Sequence, residues 1–189
     1  MLGPMNVALP RSLNVDQFLA WAVRQEEAKY ELVDGEVVRE PPQTWGHTRT
    51  KMQTLIALRT AVDASTAHYV APNGPTVRVS ARTAFVPDAL VAPLPEPAPD
   101  GLEVPNPTIV VEVLSPSTAR MDAITKLRGY FEVPSVQHYL IVDPEGQTVA
   151  HHKRGAGTME TRVIAEGTLA LDPPGLEIRL GDVFKPATA

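Results

Sequence analysis

Two carboxylates stand in stretches where a carboxylate is costly. Glu112 interrupts TIVVEVL at 108–114, a run of β-branched and aliphatic residues that reads as a strand buried on both faces. Asp88 sits in AFVPDALVA at 84–92, with Pro87 before it and apolar residues on either side. A lone ionised carboxylate in such surroundings costs several kcal/mol unless something compensates. Sequential strands pair in about two-thirds of cases, so the two acids are expected side by side. Like charges placed together need a proton or a cation between them. Hard oxygen ligands that leave other positions to water and phosphate describe a Mg²⁺ site, with Mn²⁺ as the alternative ion. Asp88 and Glu112 are the expected metal ligands.

A helix over about 118–131 follows Glu112's strand after the tight SPST connection, with Ser117 or Thr118 as its cap. Within RMDAITKLRGYF, Asp122 and Lys126 share one face, while Ile124, Leu127 and Phe131 are expected to face the core. Lys126 could then reach a water or a phosphate oxygen, where a cation stabilises developing negative charge. The plainer alternatives are an ion pair of Glu112 with Arg78, Arg82 or Lys126, and an exposed helical pair for Lys126 with Asp122.

The elements that position these groups are legible in outline. Asn14 caps a first helix over 15–28, and YELVDGEVVRE folds as a hairpin about Asp34-Gly35, a pair suited to positive φ. A second helix over 46–62 is expected to bury Met52, Leu55, Ile56 and the stem of Arg59. PNG at 72–74 is a turn, TVRVS at 76–80 a half-exposed strand, and 84–92 one strand lying near an edge or a bulge because of Pro87. The proline-rich segment 93–107 is a loop, either functional or a mobile insertion. SVQHYLIVDP is a central strand ending in a turn at Asp143, followed by antiparallel strands in TVAHHKR, ETRVIAEG and LEIRL. His151 and His152 point to opposite faces of their strand and read as ordinary surface. His47, ahead of the second helix, either approaches a substrate or serves as a surface or capping residue.

The chain of 189 residues reads as one α/β domain over 1–189 with a mixed sheet. The absence of cysteine excludes disulfides and thiolate zinc sites and suits a cytoplasmic protein. No stretch is apolar enough for a membrane span, and MLGPMNVALPRS lacks the layout of a signal peptide. A net charge of −5 argues against tight nonspecific binding to DNA, although a local basic groove is compatible with it.

Together, YELVDGEVV, PPQTWGH, VPDALV, TIVVEVLSPSTARMDAITKLRGYFEV and HYLIVDP resemble the PD-(D/E)XK nuclease superfamily, and within it the bacterial Uma-two family of restriction-endonuclease-like proteins. The resemblance covers about 15–154. It implies a restriction-endonuclease-like core, a mixed β-sheet flanked by helices, with Asp88 and Glu112 as metal ligands. The superfamily's lysine two residues after the glutamate is Leu114 here, which makes Lys126 its substitute. Glu31 matches an additional acidic position. The implied activity is a Mg²⁺-dependent nuclease, most simply a DNA endonuclease acting as a homodimer. Arg49, Lys51, Arg82, Arg120 and Arg128 are candidates for steering the nucleic-acid backbone. A noncatalytic binding or assembly module of the same fold, and a hydrolase of another phosphoester, are the competing readings.

Overall fold

The computed structural model describes residues 12–25, 28–62, 67–115 and 121–185. In chain order the elements are α1 (Val15–Ala22), β1 (Tyr30–Val33), β2 (Glu36–Arg39), α2 (Trp45–Ala61), β3 (His68–Pro72), β4 (Val77–Arg78), β5 (Ala84–Phe85) and β6 (Ala89–Pro93). They continue as β7 (Ile109–Val113), α3 (Met121–Glu132), β8 (His138–Asp143), β9 (Thr148–Arg154), β10 (Met159–Ile164), β11 (Thr168–Leu171), β12 (Leu176–Arg179) and α4 (Leu180–Val183).

The main sheet has the order β10-β9-β8-β7-β6-β3. It is mixed: β7 and β8 run parallel, joined through α3, and the other neighbours are antiparallel. A parallel pair needs such a crossover, and its two strands carry the near-continuous apolar runs that burial on both faces demands. On one face, α2, α4 and the β11–β12 hairpin enclose Leu58, Val91, Ile109, Val111, Leu140 and Leu180. On the other, α3 brings Tyr130 and Leu127 against Val110, Tyr139 and Phe85. A smaller sheet, β2-β1-β5-β4, holds α1 through Val15, Phe18, Leu32 and Ala84.

Several expectations hold in detail. Asn14 caps α1 with a reciprocal capping box to Gln17, and Asp34 and Gly35 take φ of 51° and 85° at the hairpin tip. Asp143 closes β8 by accepting from the amides of Glu145 and Gly146. The cap expected at Ser117 or Thr118 falls outside the described residues, as do Arg120 and the side chain of Asp122.

Other expectations are corrected. Residues 84–92 are two strands in different sheets, because Pro87 cannot donate to a ladder and the chain steps across at 86–88. The first helix stops at Ala22, where the apolar spacing of Val15, Phe18, Leu19 and Ala22 ends. Helix α2 buries His47, Thr50, Thr54, Ala57 and Leu58, whereas Met52 and Ile56 are exposed. Its threonines can be buried because their hydroxyls donate back to carbonyls one turn earlier, Thr50 to Gly46 and Thr54 to Thr50. Ile124 is exposed as well.

The proline-rich segment is docked along β4. Thr76 donates to the Leu102 carbonyl and accepts from the Val104 amide, Val104 is buried, and Glu103 pairs with Arg78 at 2.8 Å. Arg78 also pairs with Asp16, and Arg82 donates to the Asp34 carbonyl, so neither serves Glu112. His151 and His152 do face opposite sides, yet both are buried: His151 Nε2 lies 2.8 Å from His138 Nδ1, and His152 Nδ1 lies 2.8 Å from the Thr161 hydroxyl. Pairing with a partner across the sheet lets each ring leave water. Among the described residues no helix is long and apolar enough to cross a membrane.

Candidate active site

Six side chains converge where the two sheets meet. Glu31 comes from β1 of the smaller sheet, Asp88 from the link between β5 and β6, and Glu112 from β7. Lys126 and Tyr130 come from α3, one turn apart on one face, and Lys51 comes from α2. The step of the chain at Pro87 is what brings Asp88 level with Glu112: the Asp88 amide donates to the Val111 carbonyl, and Asp88 Oδ2 accepts from the Val113 amide at 2.7 Å.

Each carboxylate has a cation. Lys126 Nζ lies 2.9 Å from Glu31 Oε1 and 3.1 Å from Glu112 Oε1, and Lys51 Nζ lies 2.5 Å from Asp88 Oδ1. Glu31 Oε1 also accepts from the Val86 amide at 2.8 Å, and Glu112 Oε1 from the Tyr130 hydroxyl at 2.7 Å. Glu31, Asp88 and Lys126 are buried, and the side chain of Glu112 retains 13% exposure. Burial raises the Glu112 carboxyl to about 8; the charges of Asp88 and Glu31 add to the rise, while Lys126 and the Tyr130 hydroxyl oppose it. Burial likewise raises Glu40, which feels Glu31, Lys51 and Lys126. The phenol of Tyr130 is pushed well above its ordinary range, by burial first and then by Glu112, so it stays a donor.

This donor set fits a divalent cation. One oxygen ligand sits on β7 and the other in the link that leads into its neighbour β6, one held by the Tyr130 phenol and the other by the Val113 amide. Among the described residues no group of three or more His, Asp or Glu side chains is arranged to hold a metal. A site built on Asp88 and Glu112 alone would leave its other positions to water and substrate phosphate oxygens, which suits Mg²⁺.

All four site residues expected from the sequence, Glu31, Asp88, Glu112 and Lys126, come together, and Glu112 takes Lys126 as its cation. Three neighbours carry no such expectation. Lys51 reads from the sequence as a candidate backbone-steering residue, and in the structure it contacts Asp88. Tyr130 follows Lys126 by one helical turn, a spacing that could have flagged it. Glu40 ends the second hairpin arm and gives no local signal. His47 is not at the surface. It is buried, its Nδ1 lies 3.2 Å from the Leu114 carbonyl, and Thr44 rather than His47 caps α2. Leu114, at the position of the absent lysine, extends the ladder by donating to the Val142 carbonyl. Arg49 is half-buried and Arg128 exposed.

The fold is shared with a solved structure from Anabaena variabilis, described as a putative nuclease belonging to DUF820. The two align with a TM-score of 0.71 at 18% identity, over 91% of this chain and 97% of that one. Two uncharacterized proteins of Synechocystis are similar in sequence. One is 27% identical over 146 residues, 77% of this chain and 76% of its own length. The other is 25% identical over 154 residues, 79% and 85% respectively. The family model described as "Uma2: Putative restriction endonuclease" matches residues 15–181, so the chain belongs to the Uma2 family.

Proposed function

We propose that the protein is a metal-dependent nuclease that hydrolyses phosphodiester bonds, most simply those of DNA. The observation that carries this reading is the placement of Asp88, in the link leading into β6, beside Glu112 on β7, with Asp88 held by the Val113 amide and Glu112 by the Tyr130 hydroxyl. The name of the family and that of the Anabaena protein point the same way.

Asp88 and Glu112 would hold Mg²⁺ or Mn²⁺. When bound, the cation supplies charge neutralisation at the phosphate and acidifies a water for attack. The chain's residues do the rest. The Val113 amide and the Tyr130 hydroxyl keep the two carboxylates aimed. Lys126, held by Glu31 and Glu112, would hydrogen-bond a phosphate oxygen as its charge grows, taking the role of the lysine absent at Leu114. Lys51 offers a second ammonium on the Asp88 side. Glu31 helps hold Lys126 in position. A homodimer working in the cytoplasm would place two such sites on the two strands of a duplex.

Plasmid nicking in Mg²⁺ or Mn²⁺ tests this reading. Asp88→Ala, Glu112→Gln and Lys126→Met should each lower the rate by about a hundredfold or more. Equal nicking by all three and the wild type would trace the activity to a contaminant and remove the proposal. The lysine contacts to both carboxylates favour one second reading, a noncatalytic module in which the ion pairs are structural. That reading predicts neither nicking nor metal binding.

A further inference from the structure

We propose that a cavity beside the catalytic cluster is a subsite for an unpaired nucleotide flanking the scissile phosphate, with Trp45, two residues along the chain from the cavity's Gln43, as a stacking platform. The proposal deepens the nuclease reading by naming the form of substrate that the site receives.

The cavity measures about 290 Å³ and is lined by Lys29, Arg39, Glu40, Pro41, Pro42 and Gln43, with Ala28. It lies at the open end of the β1–β2 hairpin, where the Glu40 amide donates to the Lys29 carbonyl and Arg39 faces Tyr30 in the ladder. Its connection to the cluster is direct. Gln43 Oε1 accepts from Lys51 Nζ at 3.2 Å, and the same ammonium contacts Asp88. A ligand in the cavity is thus two side chains, Gln43 and Lys51, away from the expected metal ligand Asp88.

The chemistry of the lining fits a nucleotide. Lys29 and Arg39 are exposed cations that can take a phosphate. The amide of Gln43 offers donors and an acceptor to a base or sugar. Pro41 and Pro42 give a small apolar wall. Burial and the Glu31 charge raise the Glu40 carboxyl, which reduces its opposition to an anion.

Trp45 begins α2, two residues beyond Gln43, and is 76% exposed, the most exposed of the large hydrophobic side chains described. An indole this open, two residues from a wall of the cavity, suits a base with a free π-face, which only an unpaired strand offers. Trp21, the other tryptophan, is half-buried and packs edge-on against Tyr30 at 4.8 Å.

The test uses the full chain in EDTA, so that nothing is cleaved, with a fluorescein-labelled oligothymidylate and the corresponding duplex. Trp21→Phe leaves Trp45 as the only tryptophan reporter. Oligothymidylate should quench its emission and bind more tightly than the duplex. Trp45→Ala should weaken single-strand binding about tenfold, and Trp45→Phe should restore most of it. The Lys29→Ala/Arg39→Ala double variant should reduce the log–log salt slope by about 1.4, roughly 0.7 per cation. Absent binding, binding without quenching, or variants indistinguishable from wild type would overturn the subsite. The outcome separates from the parent reading. Quenching without any plasmid nicking keeps the subsite and removes the nuclease, and nicking with wild-type binding by Trp45→Ala does the reverse.

Discussion

The amide of Val113 donates to Asp88 Oδ2 at 2.7 Å, so the residue that follows Glu112 fixes the orientation of the other acid. One short segment of β7 therefore sets both carboxylates: Glu112 by its place in the strand, and Asp88 by the backbone beside it. A carboxylate held by a backbone amide cannot be turned away by substituting a neighbouring side chain. Its geometry is a property of the sheet.

Tyr130 is the adjustable partner. Tyr130→Phe keeps the ring, which packs against Phe85 at 5.3 Å and Tyr139 at 5.1 Å, and removes the donor to Glu112. The ionised form of Glu112 loses a stabilising hydrogen bond, so Mg²⁺ affinity should fall by about 10- to 100-fold with little change in fold. Calorimetric titration of the variant checks this.

Lys126→Met should be destabilising even where no substrate is present. Its side chain is 10% exposed and its ammonium contacts Glu31 and Glu112, whose side chains are 7% and 13% exposed. Removing one partner of a buried ion pair leaves charge uncompensated, at a cost of about 3 kcal/mol or more. Urea unfolding in EDTA measures the loss, and Mg²⁺ should recover part of it by supplying the missing cation.

Gly129 lies inside α3, where alanine would ordinarily stabilise by about 0.5–1 kcal/mol. Here the sign should reverse. A Cβ at that position would stand 2.6 Å from Phe85 Cε2, and Phe85 is buried against Tyr130. Gly129→Ala should therefore lose about 1–3 kcal/mol and weaken metal binding by displacing Tyr130. A stabilised variant in thermal denaturation would contradict this packing.

The buried pair His138–His151 makes stability depend on pH below neutrality. Burial lowers both to about 4 from the ordinary 6.5, so the rings are neutral in the folded chain at pH 7. The unfolded chain takes up protons first as pH falls. Stability from these groups is thus present above about 6.5 and is lost progressively between 6.5 and 4. Chemical denaturation across that window should show the decline, and His138→Leu/His151→Leu should flatten it.

Much of the site was legible because its residues break a local rule. Glu112 within an unbroken β-branched run and Asp88 between apolar neighbours declare a cost that only function or pairing can offset, and the structure places them together. The rest was hidden for physical reasons. The split at Pro87 depends on which sheet each half joins, and sequence alone does not give strand partners. The buried face of α2 is polar because threonines satisfy their own hydroxyls on the helix backbone, so hydropathy pointed to Met52 and Ile56, which are exposed. Lys51 looks like any helical lysine until α2 is docked against the Asp88 strand. His151 and His152 read as surface because their partners, His138 and Thr161, lie on neighbouring strands.

The central claim is that Asp88 and Glu112 form a metal site, and calorimetric titration of Mg²⁺ and Mn²⁺ tests it most directly. Wild type should bind either ion saturably, and Asp88→Ala and Glu112→Gln should each abolish the heat while keeping the wild-type circular dichroism spectrum. Absence of binding to the wild type at millimolar concentrations, or unchanged binding in both variants, would contradict the account and leave Glu112 as the partner of a structural lysine.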